Sequence, residues 1–349
     1  MFWQQTPDFS MPHDVRINGA LKHAVRCEEL GFDYVWFAEQ HFTNYGYSPN
    51  PLMLAGIVAA RTSRIRVGTA VVALPLWNPI RLAEDVALVD IISNGRLDVG
   101  IGKGYQHIGF RGFNVEREER SGLFEETLDF LVQAWTTNDS QFSGEHLNFP
   151  NGVNVFPKPF QRPHPPIWAA VTSSDNIRWV ARTDFTVLGS ANWVNPAQGK
   201  ADHDLYLEER RRAGKTDDKW VYALNRIVHV IDSDADRREE WDRFVTRCRY
   251  TYRLARRLRW DTVRYDHGYV HPDPLEDKDE ETDEQIDART IFGTPGEVVD
   301  KVLKLKDDLD VGMLISQMDI GGATFKEVES SQELFGTKVI PAVRAALGE

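Results

Sequence analysis

Glu39, Gln40 and His41 are candidate catalytic residues of this sequence: Glu39 and His41 for proton transfer, and Gln40 for hydrogen bonding. They follow the apolar, aromatic-rich run DYVWFA at 33–38, which is typical of a buried strand. A histidine exchanges a proton near neutral pH, and a neighbouring carboxylate can orient its ring. The alternative is structural, because a histidine in such a place is often only a hydrogen-bonded group with Glu39 as its partner. His107 is a further candidate for the same proton chemistry.

A second set of residues could bind an anion. Gly100, Gly102 and Gly104 alternate at the end of the run 96–102. Glycine there would let backbone N–H groups approach a ligand, and Lys103 would supply a positive charge.

Hydroxyl side chains follow the next two candidate strands. Thr172, Ser173 and Ser174 lead into a predicted helix, and Ser190 ends a later apolar run. The exposed N–H groups at a helix start attract phosphate, and the hydroxyls would add donors. Plain helix capping is the alternative. Together with Lys103, residues 172–174 predict a phosphate site at the ends of adjacent strands, and Ser190 belongs to the polar ring at the same strand ends.

Several common kinds of site lack support in the sequence. His41, His107, His164 and His229 belong to separate segments with no HExxH spacing, so we predict no metal site. No GxSxG motif occurs, which removes the commonest serine-hydrolase signal. The GxGxG stretch is weak evidence for a dinucleotide fold, because residues 105–115 are predicted to be a loop and no acidic residue follows at the required distance.

These residues must be positioned by alternating strands and helices. Candidate strands lie at 33–38, 65–72, 96–102, 166–171, 185–190, 222–231 and 312–318. Candidate helices lie at about 14–30, 50–62, 79–93, 116–137, 196–213, 235–259, 295–308 and 325–345. The alternation predicts one α/β domain over residues 1–349, a (β/α)₈ TIM barrel whose remaining strand would be residues 2–5. A doubly wound open sheet is the competing architecture.

Two segments interrupt the alternation. Residues 138–165 are rich in proline and predict an irregular insertion. Residues 261–290 are strongly acidic and poor in apolar groups, which predicts a mobile loop. This loop and the arginine-rich helix before it are either a solvated surface or a lid over the barrel mouth.

Composition narrows the classes of partner and compartment. The net charge of -12 argues against nucleic acid and against an anionic membrane surface. No run approaches the roughly 20 apolar residues of a membrane span, and the start MFWQQTPDF lacks the pattern of a secretory signal. Two distant cysteines suggest free thiols in a reducing compartment. We therefore expect a cytoplasmic protein.

Four stretches resemble bacterial luciferase and its relatives, the luciferase-like monooxygenases. They are DYVWFAEQHF (33–42), VGTAVVALPLWNP (67–79), RLAEDVALVDIISNGRLDVGIGKGY (81–105) and FGTPGEV (292–298), in the order expected for that family. The resemblance implies a TIM barrel, usually dimeric, that binds reduced FMN supplied by a separate flavin reductase. With molecular oxygen it would oxidise an aldehyde, ketone or other small carbon substrate.

The resemblance also assigns roles to residues of this chain. It implies a non-proline cis peptide between Ala70 and Val71, under the flavin ring. It implies that Lys103 meets the flavin phosphate, and that residues 172–174 form the phosphate loop. Ser190 belongs to the same polar ring of cofactor contacts.

This sequence departs from the family pattern at two of these positions. Gln40 stands where luciferase has its catalytic histidine, and glutamine can donate a hydrogen bond but cannot accept a proton at neutral pH. A luciferase-type base and light emission are therefore not expected, and His41 or His107 would have to replace the base. Lys103 stands in place of arginine, which keeps the charge but loses the bidentate geometry.

Two further functions remain open on these residues. One is hydride transfer with a deazaflavin coenzyme, as in other members of the same superfamily. The other is a non-catalytic flavin-binding protein, which the glutamine at position 40 keeps in consideration.

Overall fold

A computed structural model describes residues 11–171, 173–189, 196–215, 222–260, 264–266, 269–271 and 281–349. Its strands are β1 (Tyr34–Phe37), β2 (Arg66–Thr69), β3 (Val72–Ala73), β4 (Leu97–Gly102), β5 (Ser140–Ser143), β6 (Asn148–Val153), β7 (Ile167–Val171), β8 (Thr186–Gly189), β9 (Tyr222–Val230), β10 (Arg264–Asp266), β11 (Tyr269–His271), β12 (Thr290–Gly293) and β13 (Val311–Gln317).

The helices alternate with these strands. They are α1 (His13–Glu29), α2 (Pro51–Ala59), α3 (Pro79–Ile92), α4 (His107–Gly112), α5 (Arg120–Thr136), α6 (Ser174–Ala181), α7 (Pro196–Arg212), α8 (Arg237–Trp260), α9 (Asp283–Arg289), α10 (Pro295–Leu309), α11 (Phe325–Leu334) and α12 (Ile340–Leu347). A π-helical turn, Phe335–Val339, joins the last two.

Local sequence signals start several of these helices. Asn78 caps α3 by accepting a hydrogen bond from the Arg81 N–H, and Pro79 is the first residue of that helix. Thr294 and Glu297 form a capping box at α10. Because capping satisfies N–H groups that have no partner within the helix, these starts can be predicted from sequence.

The main sheet runs in the order β1-β2-β4-β7-β8-β9, and both β12 and β13 pair with β9. All of these pairings are parallel. Strands in sequence order with helices between them form the predicted (β/α)₈ TIM barrel. Residues 2–5, predicted as its first strand, lie outside the described residues. The prediction of one domain over the whole chain stays a prediction.

The barrel interior is filled by side chains that alternate with those facing the helices. Trp36, Trp168, Leu188, Ala223 and Ile315 form one buried cluster, and the two indole rings meet edge to face with centroids 5.2 Å apart. Alternation along a strand sends neighbouring side chains to the helical layer, where Val35 and Phe37 belong to the largest core cluster. These side chains pack this part of the barrel interior.

The structure corrects the prediction that residues 105–115 form a loop, because α4 occupies part of that range. Ile108 of α4 packs with Leu254 and Ala255 of α8. This contact with a helix that is distant in sequence stabilises the short helix α4. No local sequence pattern indicates such a contact.

The predicted irregular insertion at 138–165 contains an antiparallel pair, β5 with β6. The carboxylate of Glu126 on α5 accepts hydrogen bonds from the backbone N–H groups of Glu145, His146 and Leu147 at 2.8, 2.9 and 2.8 Å. These hydrogen bonds from α5 fix the turn between β5 and β6, although its sequence is polar.

The predicted mobile loop at 261–290 is wrong for its last residues, which form α9 and the start of β12. Thr282 and Gln285 make a capping box at the start of α9, and Asp283 pairs with Arg249 of α8 at 2.7 Å. Residues 264–266 pair with 269–271 in an antiparallel ladder. The other residues of the segment before 281 lie outside the described residues.

Candidate active site

A cavity of about 480 Å³ opens at the C-terminal ends of the strands. Segments after β1, β2 and β4 contribute residues 38–41, 70–71 and 104–106, and α8 covers one side. This is the end of a TIM barrel where enzymes place their active sites. The volume lies within the range of roughly 300–1,000 Å³ that is usual for pockets holding small molecules.

Glu39 and His41 form a hydrogen-bonded pair in the cavity wall. Glu39 Oε1 lies 2.8 Å from His41 Nε2. The other carboxylate oxygen accepts hydrogen bonds from the Ala73 N–H at 3.0 Å and the Trp77 Nε1–H at 2.9 Å. The Glu39 side chain is 2% exposed, so these partners replace its water and fix the His41 ring.

Gln40 lies in a network of neutral polar groups. Its side-chain oxygen accepts a 2.6 Å hydrogen bond from Gln106 Nε2, which is also 3.1 Å from the Tyr105 hydroxyl. Tyr105 also hydrogen-bonds Tyr45, and burial raises the pKa of both phenols. This wall therefore offers hydrogen bonds without a titrating group near neutral pH.

One face of α8 forms the opposite wall. Thr251, Tyr252, Ala255, Arg256 and Arg259 all line the cavity, and their spacing is that of one helical stripe. Arg256 Nη1 pairs with Glu281 Oε1 at 2.7 Å. The arginine-rich helix is therefore part of the cavity and more than a solvated surface.

The peptide bond between Ala70 and Val71 is cis, as the resemblance implied, and both residues line the cavity. Gly104 also lines it, with a φ of +74° and a position at which a Cβ atom would lie 3.1 Å from Phe110 Cζ. Gly100 was predicted to belong to the anion site, but its role is in strand packing. A Cβ atom at this position would lie 1.9 Å from the Thr69 carbonyl oxygen. Its missing side chain lets β2 and β4 approach.

Lys103 directly follows β4 and is not among the residues that line the cavity. Its Nζ lies 3.2 Å from Ser121 Oγ and 3.8 Å from Glu125 Oε1 on α5. Ser173, two residues past β7, caps α6 by accepting a hydrogen bond from the Asn176 N–H. Because β4 and β7 are neighbours in register, Lys103 and Ser173 lie at the same edge of the sheet.

The remaining predicted residues are less close to the cavity. Ser174 is the exposed first residue of α6, and the hydroxyl that caps this helix is that of Ser173. His107 begins α4 and is half-buried, but it is not among the cavity residues. Thr172 and Ser190 lie outside the described residues.

Sequence reasoning missed several polar groups of this cavity. They are Tyr105, Gln106, Asn225, Arg256, Arg259 and Gln317. The position of Gln106, just past β4, was a usable signal. From the sequence, Arg256 and Arg259 could be recognised only as two of the many arginines of a basic helix, with no indication that they line the cavity.

Within the described residues no cluster of three or more His, Cys, Asp or Glu side chains is arranged to hold a metal ion. In the same part of the chain, no helix combines the length and apolarity needed to cross a membrane. Cys27 and Cys248 are free and buried.

The family model described as "Luciferase-like monooxygenase" matches residues 2–310. The chain belongs to the luciferase-like monooxygenase family. It is 31% identical over 340 residues to "Uncharacterized protein y4vJ" of Sinorhizobium fredii, covering 95% of this chain and 93% of that protein. It is 28% identical over 349 residues to the alkanal monooxygenase alpha chain of Photorhabdus luminescens, covering 97% and 95%.

Several solved structures share the fold. The oxygenating constituent of 3,6-diketocamphane monooxygenase of Pseudomonas putida, a type II Baeyer–Villiger enzyme in complex with FMN, superposes with a TM-score of 0.76 at 19% identity, covering 98% of each chain. An F420-dependent secondary alcohol dehydrogenase superposes with a TM-score of 0.74 at 19% identity, covering 99% of this chain and 100% of the other. Proteins that share this fold thus include a flavin monooxygenase and an F420-dependent dehydrogenase.

Proposed function

We propose that this protein is a monooxygenase that uses reduced FMN and molecular oxygen to oxidise a small aldehyde, ketone or related carbon substrate. The observation that carries this proposal is the hydrogen-bonded pair of the buried Glu39 carboxylate and His41 in the wall of a largely apolar cavity at the barrel mouth. The 28% identity to an alkanal monooxygenase chain over 97% of this chain supports it.

The cavity suits a flavin in size and in the character of its walls. Ala70, Val71, Ala170 and Leu188 give an apolar surface for a ring system, and the missing side chain of Gly104 leaves room beside Phe110. We assign Lys103, Ser173 and Ser174 to the phosphate, with Thr172 and Ser190 as further contacts. Reduced FMN, delivered by a separate reductase, would supply two electrons that reduce oxygen.

The atoms balance without any other reagent. For an aldehyde, one oxygen atom enters the substrate to give a carboxylic acid and the other leaves as water. For a ketone, the same insertion gives an ester or a lactone.

His41 is the group of this chain that would move a proton. With Nε2 as the donor to Glu39, the other ring nitrogen, Nδ1, carries the lone pair that accepts a proton. Glu39 is held by Ala73 and Trp77, so it keeps this tautomer and stabilises the imidazolium once formed. Gln40 and Gln106 would donate hydrogen bonds without exchanging protons.

A homodimer is part of the proposal. Met53 of α2 and Leu88, Ile91 and Ile92 of α3 expose 62, 48, 37 and 44% of their surface. Apolar side chains on two adjacent helices are typical of a protein–protein interface. The two buried free thiols are consistent with a cytoplasmic location, which stays a prediction.

The test is to mix protein and chemically reduced FMN with ¹⁸O₂ and a panel of aldehydes and ketones. We expect one heavy oxygen atom in the acid or ester product, and a large loss of product in His41→Ala. Flavin oxidation that yields only hydrogen peroxide, with no labelled product from any substrate, would refute monooxygenation. It would leave the non-catalytic flavin-binding alternative.

The second candidate is hydride transfer with a deazaflavin coenzyme. It is supported by the fold shared with an F420-dependent alcohol dehydrogenase and by Gln40, which removes one proton acceptor from the cavity. Tighter binding of coenzyme F420 than of FMN, with alcohol oxidation in the absence of oxygen, would favour this candidate.

A further inference from the structure

The cavity wall contains a phenol, that of Tyr105, to which the proposed oxidation gives no role. Tyr105 lies three residues past the end of β4 and is half-buried. It lines the cavity together with Gln40, Gln106 and Tyr45. A phenol hydroxyl can donate one hydrogen bond and can accept others, so the direction of each bond at Tyr105 decides what it can offer a ligand.

Gln106 donates to the Tyr105 hydroxyl. Its Nε2 lies 3.1 Å from the Tyr105 hydroxyl oxygen and 2.6 Å from the side-chain oxygen of Gln40. An amide NH₂ group has two protons and accepts none. Gln106 therefore gives one proton to Gln40 and the other to Tyr105, and in the second bond the phenol oxygen is the acceptor.

The other two partners of Tyr105 act in the same direction. Burial raises the pKa of the Tyr105 phenol, but three hydrogen bonds lower it. They come from Gln106, Tyr45 and Gln40. A hydrogen bond lowers the pKa of a phenol when the partner donates to its oxygen. Burial, and then Tyr105 through its charge and this hydrogen bond, raise the pKa of Tyr45, as expected for the donor of the pair.

The proton of the Tyr105 hydroxyl therefore has no acceptor among these three partners, because all of them donate. The neighbouring side chains Leu76 and Phe110, which also line the cavity, have no acceptor atom. The proton is thus available to an oxygen atom inside the cavity. Water can take this position, and a ligand oxygen that displaces the water keeps the hydrogen bond.

We propose that the Tyr105 hydroxyl donates a hydrogen bond to the carbonyl oxygen of the organic substrate, and that Gln106 and Tyr45 orient it for this contact. The inference deepens the proposed function and rests on it for the class of substrate. A hydrogen bond to the carbonyl oxygen draws electron density from the carbonyl carbon and so favours attack on that carbon.

This arrangement also gives a role to Gln40. Its side-chain oxygen accepts one proton of the Gln106 amide at 2.6 Å, so it fixes which end of that amide faces Tyr105. Gln40 is therefore a positioning residue, and Tyr105 is the group that touches the substrate.

The experiment compares ligands that differ only in the carbonyl oxygen. The probes are methyl ketones from 2-pentanone to 2-undecanone and the matched 2-methyl-1-alkenes, in which a CH₂ group replaces the oxygen. Their affinities are measured by calorimetry under argon, with and without reduced FMN, so that no turnover occurs. Infrared difference spectra of the ¹³C-carbonyl-labelled ketones report the hydrogen bond directly, because it lowers the stretching frequency of the bound carbonyl.

The variant that removes the donor is Tyr105→Phe. Tyr45→Phe tests the rival donor, because Tyr45 also lines the cavity. Tyr250→Phe is the matched control, since Tyr250 is a half-buried phenol that packs in the same cluster as Tyr45 but is not among the described residues that line the cavity. Circular dichroism and thermal melting check that each variant is folded.

We expect the ratio of ketone affinity to alkene affinity to fall roughly 5-fold or more in Tyr105→Phe, the effect of leaving a buried acceptor without its donor. The carbonyl stretch of the bound ketone should move to higher frequency in the same variant. Tyr250→Phe should match the wild type in both measurements, and Tyr45→Phe should keep most of the wild-type ratio.

An unchanged ratio and an unchanged carbonyl stretch in Tyr105→Phe would overturn the proposal. It would also be overturned if Tyr45→Phe abolished the preference and Tyr105→Phe kept it, because Tyr45 would then be the donor, or if Tyr250→Phe lost it equally. A Tyr105-dependent carbonyl stretch combined with no labelled product from ¹⁸O₂ would support the contact and refute the monooxygenase. Labelled product with no effect of Tyr105→Phe on binding would do the reverse.

Discussion

Replacing Glu39 by glutamine tests whether this carboxylate sets the protonation of His41. The shape of the side chain is kept, but one acceptor oxygen becomes an NH₂ group. Glu39 Oε2 faces two donors, the Ala73 N–H and the Trp77 Nε1–H, so the amide oxygen must take that position. The NH₂ group then faces His41 Nε2, which must become an acceptor, and the ring proton moves to Nδ1.

The magnitude follows from the three hydrogen bonds that Glu39 accepts. A hydrogen bond to a charged group contributes about 1.5–3 kcal/mol and a neutral one about 0.5–1.5 kcal/mol. Each of the three bonds weakens by about 1–1.5 kcal/mol, so we expect the variant to lose about 3–4.5 kcal/mol of its unfolding free energy. Because the basic nitrogen of His41 is then protonated, turnover should fall roughly 100-fold or more, the lower range for a lost general base.

The assay is ¹⁵N NMR of the His41 ring, supported by urea unfolding and by product formation. Glu116→Gln is the control, because Glu116 is exposed and outside the cavity. An unchanged His41 tautomer in Glu39→Gln would contradict the reasoning. Unchanged turnover despite the switched tautomer would remove His41 from proton transfer.

Three further predictions follow from other parts of the molecule. Lys103→Ala should weaken FMN binding by about 1.5–3 kcal/mol and leave riboflavin binding unchanged; equal effects on both would remove Lys103 from the phosphate site. Leu88→Glu should convert the proposed dimer into monomers in analytical ultracentrifugation, whereas Val15→Glu, at a position of similar exposure (47% against 48%) on α1, should not. Glu28→Gln should be less stable than the wild type at neutral pH, and the difference should vanish in acid. Burial alone would raise the pKa of Glu28, but the N–H groups of Ile65, Arg64 and Ser63 lower it to about 2. The stabilising effect of the Glu28 carboxylate is therefore present above the usual carboxyl pKa and lost as pH falls towards 2. If wild type and variant still differed fully in urea-unfolding free energy at pH 2, this reasoning would be contradicted.

The order of strands and helices could be predicted from the sequence because its signals are local. Apolar runs marked β1, β4 and β13, and caps such as Asn78 and Thr294 marked the starts of helices. In a TIM barrel the strands all point the same way, so the alternation of elements alone assigns the residues after β1 and β2 to one mouth. That rule brought Glu39 and His41 together with Ala70 and Val71.

Tertiary structure alone decided which other side chains share that mouth. The helix α4 exists through packing of Ile108 on α8, and no spacing in the sequence reports a contact across more than a hundred residues. The same docking of α8 brings Arg256 and Arg259 to the cavity, whereas their charge by itself suggested only a solvated surface. Helix ends and the alternation of side chains along a strand depend on neighbours along the chain, so the sequence determines them. Which residues line the cavity depends on which faces of the elements pack together, and packing is a property of the whole fold.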